Sequence, residues 1–375
     1  MNPQRRAAVL ALGALAASSG KSLAAQDEVQ RGRQLNFPRD HGAHLGADIE
    51  WWYLTGWLGG FAAPLFGFQL TFFRSRTGLA QDSRSRFAAK HLLFAHAALT
   101  DMVAQRHHHA QAVQRWNGEA GAALGAAATT HTDVHLGHWF LRNQVAPGLV
   151  QDGNTLHALV DVEAEAEAAF KLDLRFQRSQ PLLLQGLAGF SPKAPGNAHA
   201  SHYYSEPQLL AQGSVISQGR ESKLAGRAWL DHEWSSGLLH PDAVGWDWVG
   251  MNLADGSALT AFRLRRKDGT VLWAGGSWRA PGTDARAFAH AEVRLEPGRT
   301  WASAISQAVY PVQWKVHTPV GAFEVRALLD NQEMDARRST GMLYWEGLAE
   351  LLNPQGQRVG LGYLELTGYG QRLQL

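Results

Sequence analysis

EWWYLTGWL, residues 50–58, sets one glutamate among three tryptophans and a tyrosine, and GWDWVGMNL at 245–253 again encloses one acid in an aromatic cluster. Both stretches read as β-strands. Side chains on a strand alternate between two faces, which puts Glu50, Trp52, Leu54, Gly56 and Leu58 on one side and Ile49, Trp51, Tyr53, Thr55 and Trp57 on the other. Asp247 likewise shares its face with Val249, Met251 and Leu253. A carboxylate among apolar neighbours is costly unless it is hydrogen-bonded, paired or protonated, and burial raises its pKa toward the range of a general acid. Each acid therefore has two readings, a pin that fastens its strand from inside a barrel or a group that does chemistry.

Outward from these strands, alternating runs bounded by Gly, Pro, Asn and Asp recur at GFQLTFFR (67–74), TLHALVDV (155–162), FKLDLRFQ (170–177), ALTAFRLR (258–265) and GLGYLELT (360–367). Helical periodicity is hard to find. Short strands at this spacing predict an all-β chain of barrels or sandwiches. The chain also repeats itself. Trp51, Tyr53, Leu54 and Leu58 align with Trp246, Trp248, Val249 and Leu253, and LTFFRSRTG (70–78) aligns with LTAFRLRRKDG (259–269) after a loop six residues shorter. Internal similarity of this length predicts two related β-domains, 36–236 and 237–375, each opening on an aromatic strand with an acid.

The 375 residues, 45% of them hydrophobic, are enough for a sizeable core. A formal charge of +2 with scattered basic residues leaves no footprint for nucleic acid. Residues 1–25 have a basic start, a short apolar run and the small-residue end Ser22-Leu23-Ala24-Ala25, the pattern of an export signal. Arg5-Arg6 adds a hint of the twin-arginine route beside the general secretory one. The mature protein is expected in the periplasm or outside the cell, without a stable membrane span, because no later segment reaches the roughly 20 apolar residues that spanning needs. There is no cysteine, hence no disulfide, thiolate chemistry or cysteine-ligated metal.

The densest polar constellation is ASHYYSEPQL (200–209) followed by GRAWLDHEWSSGLLHPDAVGWDWVG (226–250), at the expected domain junction, where ligand pockets are common. On a strand, Asp231 and Glu233 face one way and His232 and Trp234 the other. Among the 17 histidines, His107-His108-His109 reads as a solvated loop tract. His131, His135 and His138 have a helical ligand spacing, but TDVHLGHWFL reads as one strand that turns His135 and His138 to opposite faces. No metal site is expected, since the glutamate of a metalloprotease helix is missing. Serine-hydrolase, Walker and dinucleotide fingerprints are absent, and no cofactor is implied. EAEAEAA (163–169) reads as a solvated strand edge or loop. Near the C-terminus, Glu346 lies beside Tyr344 and Trp345 and Glu365 is in phase with Tyr363; they are expected to pin strands that close the second barrel, with a pocket-lining role as the alternative.

FPRDHGAHLGADIEWWYLTGWL, ASHYYSEPQL, GRAWLDHEWSS, GWDWVGMNL, YWEGLAEL and GYLELTGY together resemble the AttH-like proteins, grouped with the carotenoid 1,2-hydratases (hydroxyneurosporene synthases). The resemblance runs from Phe37 to Tyr369 and implies two lipocalin-like antiparallel β-barrels in tandem. It also implies an apolar or amphipathic ligand such as a lipid or isoprenoid, and association with an ABC transporter. In the hydratases a His-x-Trp pair and a Tyr-x-Asp pair on a following strand are proposed to act. His232 and Trp234 match the first pair, whereas ALTAFRLR carries no Tyr-x-Asp. If the chain is catalytic, the expected chemistry is a cofactor-free hydration, isomerisation or hydrolysis, with Asp231, Glu233 or Asp247 as general acid and His232 as base or water-orienting group. Glu50, Trp52, Tyr203, Tyr204, Trp234, Trp246, Trp248 and Glu346 make up the expected ligand-binding set, the tryptophans able to stabilise a carbocation.

Overall fold

The computed structural model describes residues 27–122, 124–143, 155–163, 169–196 and 199–373. The expected export signal and most of the EAEAEAA run lie outside them. Among the described residues the protein is all-β, apart from two short 3-10 turns at Arg39–His41 and His290–Glu292. The five expected strands are all present, at Pro64–Arg76, Thr155–Val162, Phe170–Gln177, Ala258–Arg266 and Arg358–Thr367.

The first sheet runs in the order Arg106–Trp116, His91–Asp101, Pro64–Arg76, Ile49–Gly59, Arg220–Ser235, Ala200–Ser217, Phe170–Gln177, Thr155–Val162, Trp139–Asn143, Asp133–Leu136, Gly125–Ala127. Its pairings are antiparallel throughout. Its two edges approach each other where the Gln114 side chain lies against Gly125, so the sheet nearly closes into a barrel. The incoming segment fills the remaining gap, with the Ala43 N–H donating to the Ala128 carbonyl at 2.7 Å. A Cβ on Gly42 would sit 2.5 Å from the Thr129 carbonyl carbon, so only glycine fits this close approach. The second sheet runs Arg286–Phe288, Val271–Arg279, Ala258–Arg266, Ala243–Leu253, Arg358–Thr367, Met342–Leu352, Gly321–Ala327, Gln313–Thr318, Arg294–Pro297.

The inward faces carry the phases that alternation predicts. Trp52, Leu54 and Leu58 join Phe68, Phe72 and Leu93 in one core, and Val249 and Met251 join Trp314, Trp345 and Leu364 in another. Burying each such side chain contributes about 1.5–3 kcal/mol, and tens of them offset the ordering of the chain. The opposite faces meet in a third cluster, in which Tyr53, Trp57 and Trp229 from the first sheet pack on Trp248, Leu348 and Tyr363 from the second. Polar clamps surround that contact. Asn252 accepts from the Gln208 N–H at 2.8 Å and donates to the Ala228 carbonyl at 3.0 Å, while Thr100 donates to Gln332 at 2.9 Å.

Three expectations need correction. The sequence alignment matches Trp51 with Trp246, whereas Glu50 stands across from Arg74 and Asp247 across from Arg263, so by cross-strand partner Glu50-Trp51 corresponds to Asp247-Trp248, two residues away. His107–His109 is not loop but part of the strand Arg106–Trp116, held by the second half of the chain: the Asp335 N–H donates to His109 Nε2 at 3.3 Å and Gln111 donates to the Asp335 carbonyl at 2.7 Å. The stretch TDVHLGHWFL, 132–141, likewise belongs to a hairpin rather than to a single strand. Gly137, at φ +56°, allows a turn between Asp133–Leu136 and Trp139–Asn143, leaving His138 in that turn.

Candidate functional site

A partly open cavity lies between the two sheets. The outward faces of the two acid-bearing strands form much of its wall, Trp51 and Tyr53 from one and Trp246 and Trp248 from the other. Phe73, Phe262, Leu264 and Tyr344 extend the apolar surface. Four carboxyls interrupt it.

Asp231 and Glu233 point into the cavity from alternate positions of Arg220–Ser235. Asp231 accepts from Tyr203 Oη at 2.7 Å, Ser205 Oγ at 2.5 Å and Trp229 Nε1 at 2.7 Å. Trp248 Nε1 donates in turn to Tyr203 Oη at 3.2 Å, linking the two sheets through one phenol. Burial raises the Asp231 carboxyl to about 7 in spite of its three donors, so near neutral pH it exists in both protonation states. Glu233 is held differently, by Lys193 Nζ at 2.8 Å and Ser201 Oγ at 2.5 Å.

Glu346 and Glu365 occupy directly opposed positions on the neighbouring strands Met342–Leu352 and Arg358–Thr367, both on the cavity face. Glu346 is 2% exposed, and its Oε1 has no hydrogen-bond partner. Burial, and then the facing Glu365, push its carboxyl well above the usual range. Burial also pushes Glu365 up to about 8, with the Trp246 indole acting the other way. Among the described residues no arginine or lysine pairs with either.

The other face of Arg220–Ser235 holds a separate cluster. Glu50, fully buried inside the first barrel, accepts from Arg74 Nε at 2.8 Å, His44 Nδ1 at 2.7 Å and His232 Nε2 at 3.0 Å. Burial alone would raise this carboxyl, but Arg74 and then His44 hold it well below the ordinary value. His232 packs on Trp52 with ring centroids 4.7 Å apart, and Trp234 stacks on His44 at 3.6 Å. Tyr204 Oη lies 3.0 Å from His232 Nδ1 and 2.7 Å from His41 Nδ1. His44, Glu50 and His232 are also spaced closely enough to offer three ligand atoms to one metal ion. Their atoms are instead engaged with one another, and the Arg74 cation on the second oxygen of Glu50 opposes a further positive charge.

Asp247 is the counterpart of Glu50 in the second sheet. It accepts from Arg263 Nε at 2.7 Å, Arg265 Nε at 3.2 Å and Tyr369 Oη at 2.8 Å, facing away from the cavity. Of the residues singled out from sequence, the structure thus brings Tyr203, Asp231, Glu233, Trp246, Trp248 and Glu346 together in the cavity. It puts Glu50, Trp52, Tyr204, His232 and Trp234 behind the first sheet and Asp247 behind the second. Trp51, Tyr53, Lys193 and Tyr344 were missed as wall residues, while Glu365, for which a pocket-lining role was the alternative, is in the wall. The signal for Trp51 and Tyr53 was present in the strand phase, since they occupy the face opposite the pinned acid.

An aromatic cavity between two antiparallel sheets of lipocalin-like type defines the class. The AttH-like family profile matches residues 28–369, and the chain belongs to that family. Its structure is similar to the crystal structure of an AttH from Nitrosomonas europaea, with 42% identity, 91% of this chain and 99% of that chain covered, and a TM-score of 0.80. It shares the fold of kievitone hydratase from Nectria haematococca at 15% identity, covering 90% and 94% of the two chains with a TM-score of 0.64. It also resembles CghA solved with Sch210972, at 13% identity, 87% and 90% coverage and a TM-score of 0.51. Among curated proteins no sequence match was found.

Proposed function

We propose that the protein is an exported binding protein that encloses an apolar or amphipathic small molecule in the cavity between its sheets. The observation that carries this reading is the wall itself, indole and phenol surfaces from both sheets surrounding a few carboxyls, of which burial disfavours ionisation at Asp231, Glu346 and Glu365. Such a lining, mostly apolar with a few convergent polar groups, is the usual composition of a small-molecule site. The test is mass spectrometry of a solvent extract from mature protein purified from the periplasm. A stoichiometric lipid, isoprenoid or similar compound is the expected result; protein that comes out empty and fails to bind such compounds on addition would sink the reading.

One observation favours a second reading, cofactor-free acid catalysis. Asp231, raised to about 7 and hydrogen-bonded to Tyr203, has the acidity of an efficient general acid at neutral pH. In this reading Asp231 protonates an alkene of the enclosed molecule, water adds to the carbon left cationic, and the proton shed by that water passes to solvent, from which Asp231 is reprotonated. Asp231→Asn then abolishes turnover of the extracted compound while leaving its affinity unchanged; conversion at the wild-type rate by that variant would remove Asp231 from the chemistry.

A further inference from the structure

The chain handles its buried acids in a consistent way, with an exception at the cavity. Glu50 and Asp247 meet Arg74 and Arg263, Glu206 meets Arg178, and Glu350 meets Arg326 and Arg358. Glu233 has Lys193, while Asp101 and Glu333 are satisfied by backbone N–H or hydroxyl donors. Glu346 has no such cation, and the donor it faces is the neutral Tyr53 hydroxyl. It is 2% exposed, its Oε1 is unpartnered, and its cross-strand neighbour is a second carboxyl. Like charges directly opposed on paired strands are unfavourable, and a buried unpaired acceptor adds its own desolvation cost. What the pair lacks is a positive charge.

The surrounding wall has the chemistry to receive one. Trp246 and Trp248 line the same cavity as Glu346 and Glu365, and Trp51 closes it from the first sheet. Indole faces attract cations, most strongly where water is excluded, and an aromatic box with an acid in its wall is a means of holding organic ammonium groups. The one cation already there, Lys193, is engaged with Glu233 and lies 5.0 Å from the Trp51 ring. We propose that the cavity is a receptor for a lipophilic organic cation, an amine or quaternary ammonium on an apolar body, for which the opposed Glu346 and Glu365 supply the counter-charge. This rests on the reading that the cavity holds a small molecule, and it names that molecule's class.

Binding is then linked to proton release. In the empty cavity the pair retains protons, because burial and mutual repulsion disfavour ionisation and the groups around it add no positive charge: Tyr53, Tyr203 and Tyr344 in the wall and Tyr363 beside Glu346 are phenols, Asp231 is an acid, and Lys193 is matched by Glu233. An arriving cation favours the ionised carboxylate, so a proton leaves as it enters. Affinity for a permanent cation rises with pH until Glu365 ionises unaided, at about 8.

The experiment is calorimetric titration of the full mature chain with benzyltrimethylammonium and with neopentylbenzene, its uncharged isostere, in two buffers of different ionisation enthalpy. The expected result is that the cation binds about tenfold more tightly than the isostere at pH 8. The cation should also release a proton and lose its advantage toward pH 6. Glu346→Gln, Glu365→Gln and the double variant should bring the two affinities together while the isostere still binds. Isostere binding without preference for the cation overturns the proposal and leaves the cavity reading intact, whereas failure of both probes overturns both. If the variants do not fold, the wild-type preference and the proton release decide.

Discussion

Arg74 stands directly across from Glu50 on the neighbouring strand and donates Nε to its carboxylate at 2.8 Å, the same relationship that Arg263 has to Asp247 in the second sheet. An acid inside an aromatic strand, met by the arginine of L-T-x-F-R, therefore recurs in both halves as a buried ion pair. Arg74 also donates to the His44 and Ala47 carbonyls at 2.7 and 2.9 Å, which ties the incoming segment to the barrel wall.

Removing one member of a buried pair strands the other. Arg74→Met is expected to cost about 3–5 kcal/mol of stability because Glu50 is left buried with only its histidine donors, and the double variant with Glu50→Gln should recover part of that loss. Urea unfolding midpoints at constant slope measure it. A single-variant loss below about 1 kcal/mol would show that the pair does not fasten the strand.

Asp247→Asn separates fastening from chemistry. Asp247 faces Arg263, Arg265 and Tyr369 and not the cavity. The substitution should lower the unfolding midpoint while leaving cavity affinities within about twofold of wild type, less than a lost hydrogen bond would produce. A tenfold loss of ligand affinity in protein that remains folded would count against this assignment.

The tryptophans divide by face. Trp248→Ala removes a cavity wall and the indole donor to Tyr203, so it should weaken ligand binding markedly. Trp234→Ala instead removes a fully buried ring stacked on His44, with a stability cost of about 3–5 kcal/mol. Parallel binding and melting curves for the two variants check the division; equal effects on binding would erase it.

Stability should depend on pH with two limbs of opposite origin. Burial lowers His41 and His202 to about 4 and His91 and His96 to about 3, so the unfolded chain gains protons below about 6.5 that the folded one refuses, and stability falls on acidification toward those values. Asp231 and Glu365, raised to about 7 and 8, act in reverse. The unfolded chain loses these protons near pH 4 while the folded chain keeps them, so stability is lost as pH rises toward 7 and 8. Between about 4 and 6.5 the slopes oppose each other; above 6.5 only the carboxyl limb remains. Melting temperature should drop from pH 6.5 to 8, and Glu365→Gln should flatten the part above 7.

The fold was readable because strand phase is a local property. Glu50 against Trp51, and Asp231 against His232, fall on opposite faces by alternation alone, and core packing makes that alternation strict. What could not be read was register between distant strands. The opposition of Glu346 and Glu365 depends on how Met342–Leu352 slides past Arg358–Thr367. Lys193 reaches Glu233 from just beyond the short strand Phe190–Pro192, which no periodicity marks. His107–His109 read as loop because the group that meets His109, the Asp335 N–H, lies more than 200 residues away in sequence. The two-residue error in the repeat arose in the same way, since aromatic residues align with aromatics in sequence while the structure aligns acids by the arginine each faces.

The insertion of Arg220–Ser235 between Ile49–Gly59 and Ala200–Ser217 has a consequence for how the chain is made. Ile49–Gly59 leaves the ribosome early, pairs with the next strand, and then waits for a partner that begins at residue 220. At ordinary rates of synthesis that wait lasts roughly 10–30 s, during which a long aromatic edge stands open. The first barrel therefore closes late, on an edge laid down at the start.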